Sequence, residues 1–218
     1  MNIDTLSSTQ LADARIAFLG RTYGMLALCI AAGSIGAYAS LGMSFPLAHP
    51  WLTLFMMMGG VFVVQAVRHT PGINLLALLA FGALTGFAIS PLVGLVAAKS
   101  GMLVAQAFMT TAVAFVGLTA YTFISRRDFS FMRGFVWMGL IAVVILGLSN
   151  LFFHSATMAL ALSGISVLLF SAFILYDTST ILRTYPNDEY IAAALTLYLD
   201  VFLLFENLLV LFGMLDDD

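Results

Sequence analysis

IAAALTLYLDVFLLFENLLVLFGML, Ile191 to Leu215, decides the fold. At 1.5 Å rise per residue a helix of this length crosses the roughly 30 Å hydrocarbon core of a bilayer. It is apolar on every face apart from Thr196, Asp200, Glu206 and Asn207, so it belongs in lipid or deep inside a helix bundle. Its neighbour upstream, Met158 to about Leu182, is equally apolar and carries Asp177 within LYDTS, Leu175 to Ser179. An aspartate near the middle of a membrane helix costs about 2.5 to 3.5 kcal/mol even on lenient insertion scales. Such residues are rarely kept without a partner or a task, and here two of them stand on consecutive spans.

Composition agrees about the solvent. The chain has 218 residues, 62% hydrophobic and only 9% charged, with mean hydropathy +1.07, whereas soluble domains carry about 25% charged residues. The fold class expected is an all-α integral membrane protein with seven transmembrane helices and no separate soluble domain. Its first partner is the lipid bilayer, and nothing points to a nucleic acid. Cys29 is the one cysteine and lies in an apolar span, which excludes an intrachain disulfide framework or a thiolate metal site. His49, His69 and His154 fall at span ends or in loops, and no H-E-x-x-H zinc motif occurs. No cofactor is expected.

Residues 1–20 lack an apolar core and read as a short cytoplasmic tail, with 21–218 as a single seven-helix membrane domain. The spans expected are about Thr22–Leu41, Trp51–Val67, Ile73–Ala98, Met102–Ile124, Gly134–Phe153, Met158–Leu182 and Ile191–Leu215. In the third, Gly82, Gly86, Ser90 and Gly94 stand four residues apart, a small-residue ridge that admits close approach of another helix. Pro91 beside it kinks the helix or frees carbonyls. With seven spans, Arg15, Arg21, Arg68, Arg126, Arg127, Arg133 and Arg183 fall on the N-terminal side and Lys99 alone on the other. That bias puts the N-terminus in the cytoplasm and Asp216 to Asp218 outside, in an inner (plasma) membrane.

Asp177 and Asp200 then lie in the inner half or middle of the membrane. Thr196, Asp200 and Asn207 share one face of the last span, with Glu206 about a third of a turn away. Two carboxylates brought together cannot both ionise cheaply, so the pair shares a proton and titrates as a unit. Arg68 ends the descending second span at similar depth, and its expected role is a latch on Asp177. Two aspartates are too few for a tight calcium cage but suit a weak, partly hydrated transit site.

Four stretches carry a resemblance: TGFAISPLV (Thr85 to Val93), GLTAYTFISRRDFSF (Gly117 to Phe131), ILYDTSTI (Ile174 to Ile181) and LTLYLDVFLLFENLLVLFG (Leu195 to Gly213). Together they resemble the Bax inhibitor-1, or transmembrane Bax inhibitor motif, family in a bacterial member. The resemblance implies a seven-transmembrane-helix bundle with the C-terminal helix central, a pH-sensitive calcium leak, a di-aspartyl sensor at Asp177 and Asp200, and an arginine latch at Arg68. Some bacterial relatives have an acid within the second span, where this chain has Met56, Met57, Met58 and Gln65. The resemblance also supplies an alternative to the calcium and proton pathway, a regulator of a membrane-bound quality-control protease that transports nothing itself. An intramembrane aspartyl protease would need a Gly-x-Gly-Asp run, and the sequence has Tyr198-Leu199-Asp200 instead, so no enzyme is expected.

Overall fold

The structure, a computed structural model, describes residues 8–216. Its helices are α1 (Ser8–Ala39), the single turn α2 (Phe45–Ala48), α3 (Pro50–Val67), α4 (Ile73–Lys99), α5 (Gly101–Ser125), α6 (Arg133–Phe153), α7 (Ala156–Arg183) and α8 (Tyr190–Leu215). A 3-10 turn, Ser130–Met132, precedes α6, and no strand occurs among the described residues. Seven of the helices are long and apolar enough to cross a membrane. The chain is an all-α, seven-span integral membrane protein. Of the seven, α8 is the most enclosed, with 44% of its most apolar window buried.

Helix ends follow local chemistry. Ser100 and Ser155 cap α5 and α7 by accepting hydrogen bonds from the Met102 and Met158 amides. Arg126 and His154 close α5 and α6 in the left-handed region, at φ +50° and +49°. Pro91 lies inside α4 without ending it, as proline does in membrane helices when surrounding groups satisfy the freed carbonyls. α1 begins earlier than the tail reading allowed. Residues 8–20 continue the first span outward as helix, because no glycine or proline interrupts Ser8 to Leu19 and Phe18 is buried. Residues 1–7 of that tail lie outside the described residues, as do Asp217 and Asp218.

The described residues group into two compact units. The first comprises 8–40, 45–88 and 185–198. Here α1 and α4 meet through small residues: a Cβ on Gly82 would stand 2.6 Å from the Cys29 carbonyl, and one on Gly36 or Gly86 would collide with the Ala83 or Gly33 backbone. Two members of the expected ridge, Gly82 and Gly86, are therefore points where backbones touch. Beside them Tyr198 hydrogen-bonds Thr85, whose hydroxyl donates to the Gly82 carbonyl at 2.7 Å. Arg15 ties α1 to the residues preceding α8, donating to the Tyr185 carbonyl at 2.7 Å and to Asn187 Oδ1 at 2.9 Å.

The second unit comprises 41–44, 89–184 and 199–216. Its aromatic contacts include Trp137 edge-on to Phe173 and Phe108 edge-on to Phe205, both at 6.4 Å between centroids. Gly213 of α8 lies against Val96 of α4, and Lys99 Nζ donates to the Gly213 carbonyl at 2.8 Å, satisfying an oxygen near the α8 terminus.

Candidate functional site

Within the second unit α7 and α8 bring Asp177 and Asp200 together. Their carboxyl groups are electrostatic neighbours, a placement in which two carboxyls can share a single proton. Asp200 is buried, with 5% of its surface exposed, and Asp177 is half-buried. The Oδ2 atom of Asp200 is buried with no hydrogen-bond partner among the described residues. One acceptor of the pair is thus unused, although buried polar atoms are almost always satisfied.

Sequence reasoning passed over a second unsatisfied oxygen on α7. Ser171, Thr180 and Thr184 donate back to carbonyls four residues earlier, at 2.7 to 2.8 Å. The hydroxyl of Thr178, next to Asp177 in the chain and fully buried, makes no hydrogen bond among the described residues. Thr119 of α5, also in the second unit, has a buried hydroxyl in the same condition. The signal was present in ILYDTSTI, a hydroxyl residue beside the acid, but spacing alone does not tell a back-bonded hydroxyl from an unbonded one.

The supporting residues of α8 make local hydrogen bonds. Thr196 donates to the Ala192 carbonyl at 3.0 Å, with the Tyr185 hydroxyl 3.4 Å away. Asn207 Nδ2 donates to the Leu203 carbonyl at 2.7 Å. Both are bonded back to their own helix. Glu206 is half-buried on α8, in the second unit. Among the described residues no three His, Cys, Asp or Glu side chains gather as a metal site, so a cation at the pair would meet two carboxyls and its own water.

Arg68, the expected latch, makes an ion pair with Glu189, Nε to Oε2 at 3.2 Å. Its Nη1 also donates to Gln65 Oε1 at 3.0 Å. His69 joins them, with Nε2 3.3 Å from Glu189 Oε1 and 3.1 Å from Arg68 Nε. The reason is electrostatic. Glu189 precedes the first turn of α8, where a carboxylate gains from the helix dipole and avoids the desolvation of one within an apolar span.

Comparison with known proteins completes the picture. A family profile described as Inhibitor of apoptosis-promoting Bax1 matches residues 15–217. A membrane protein of Vibrio cholerae is 34% identical over 207 residues, spanning 92% of this chain and 90% of that protein. Mouse Protein lifeguard 4 is 35% identical over 202 residues, 89% of this chain and 84% of its own. The Golgi anti-apoptotic protein of vaccinia virus (strain Lister) is 34% identical over 207 residues, 90% of this chain and 85% of that protein. A match of this extent, across all seven spans and both aspartates, makes the chain a member of the Bax inhibitor-1 family.

Proposed function

We propose that the protein is a pH-sensitive cation leak pathway, with calcium as the favoured cargo, whose switch is the proton shared by Asp177 and Asp200. The observation that carries this reading is the placement of the two carboxyls as electrostatic neighbours, with one buried Asp200 oxygen left unpartnered among the described residues. With the proton in place the pair bears one negative charge. Without it the two carboxylates repel, by about 4 kcal/mol for unit charges at about 4 Å and an effective dielectric of about 20, which favours separation of the carboxyls or entry of a cation between them. Proton loss and cation entry are then one exchange, and carboxylate oxygens suit calcium. The membrane is an inner, energised one with the N-terminus on the cytoplasmic side, and the pair performs no bond-breaking chemistry.

The test is flux from the purified protein alone in liposomes, measuring calcium, potassium and proton entry across a pH series. The parent should conduct with a pH-dependent rate. Asp200→Asn, which keeps shape and hydrogen bonding but cannot titrate, should flatten that dependence, and Asp177→Asn should shift it. If the parent passes no cation at any pH, the pathway reading falls. If both variants keep the parent's profile, the pair is not the switch.

A further inference from the structure

We propose that the α5–α6 turn of the second unit is a docking surface for anionic phospholipid headgroups, with Arg126, Arg127 and Arg133 as its phosphate ligands. This is independent of the proton pair. The turn is built so that its backbone is bound inward and its cations are left outward. Ser179 of α7 accepts a hydrogen bond from the Phe129 amide at 3.2 Å and donates to the Arg127 carbonyl at 3.4 Å. Arg183, at the end of α7, donates to the Arg126 carbonyl, and Phe129 is buried. The one acid in the turn, Asp128, is engaged by the Ser130 amide at 2.8 Å. The side chains of Arg126, Arg127 and Arg133 are exposed and have no acceptor among the described residues.

Depth selects the partner. The apolar spans stop at Ser125 and resume at Ser130, so Arg126 and Arg127 fall between two spans and Arg133 opens α6 at the start of the second, the depth at which headgroups meet a membrane protein. Around them Ile124 is 82% exposed, Phe131 79% and Phe135 67%, side chains that need an apolar medium beside the cations. An acidic protein surface would answer the charge but not those three. A phospholipid answers both, its phosphate meeting the planar guanidinium fork and its acyl chain the aromatic rings. Juxtamembrane clusters of basic residues attract anionic headgroups in this way.

The experiment reconstitutes the full chain in bilayers of equal phosphatidylcholine and phosphatidylglycerol and measures, with spin-labelled lipids, how much of each is motionally restricted by the protein. The parent should favour phosphatidylglycerol several-fold, and the preference should vanish near ~1 M salt, where the Debye length is about 3 Å. The variant R126Q/R127Q/R133Q should hold both lipids equally. Its lysine counterpart, R126K/R127K/R133K, should keep part of the preference. Should the triple glutamine variant fail to fold, R127Q alone should give an intermediate ratio. Equal association of both lipids with the parent, or an unchanged ratio in the folded glutamine variants, would overturn the proposal and leave these arginines to an acidic protein partner.

Discussion

Asp128 is held as an anion by its immediate neighbours. Its carboxylate accepts from the Ser130 amide, with the Ser130 hydroxyl and the Arg183 cation nearby, and these hold its pKa below the ordinary aspartate value. The folded chain therefore favours the anion. The stabilisation is present in full above the unfolded value, about 3.9, and is lost only as pH falls through the lower folded value. We expect the Ser130 amide to stay protected from hydrogen exchange down to pH values where a free aspartate is already protonated. In Asp128→Ala that amide should exchange fast at every pH. Equal protection in both chains would show that the 3-10 turn holds without the carboxylate. The Arg68 ion pair shows where reading by residue stopped. Depth along the membrane says nothing of direction around a helix axis, and Glu189 offers Arg68 a carboxylate just before the first turn of α8. Its signal was legible: the sequence places Asn187-Asp188-Glu189 directly before the last span.

Elements were legible for a different reason. In lipid a backbone must satisfy itself, so apolar length maps onto helices almost without alternatives, and each expected span became one helix with ends moved by a few residues at most, apart from the early start of α1. The ridge on α4 was legible as spacing, while its partner was not, because four-residue spacing marks a groove without naming what fills it. The partner is α1, and the approach there is close enough to predict from. Gly86→Ala would drive a methyl into the Gly33 carbonyl and the Ala37 amide, backbone atoms that cannot turn aside. Overpacking of this kind costs about 1 to 3 kcal/mol. We expect a clear drop in the thermal midpoint of the purified protein in detergent for Gly86→Ala, and none for Gly117→Ala, whose added Cβ meets nothing within 4 Å. Equal midpoints for the two variants would mean that α1 and α4 are not packed backbone to backbone.

For the whole molecule the open quantity is direction across the membrane. Counted on the helices observed, Arg15, Arg21, Arg68, Arg126, Arg127, Arg133 and Arg183 all belong to one set of span ends, and Lys99 to the other. Insertion of multi-span proteins follows arginine and lysine in short loops, because these stay on the cytoplasmic side, while acids contribute little. The acidic C-terminus therefore does not compete with the arginines for orientation. Lys99 is a weak counterweight as well, since its ammonium is already engaged by the Gly213 carbonyl at the end of α8. The expected arrangement has the N-terminus cytoplasmic and the C-terminus on the far side, with the α5–α6 turn facing the cytoplasm. A reporter that is active only in the cytoplasm should be silent when fused after Asp218 and active when inserted between Arg127 and Asp128. Activity at Asp218 together with silence in the turn would reverse the orientation. Activity at both would mean that one of α6, α7 and α8 does not cross, since three crossings separate those two points.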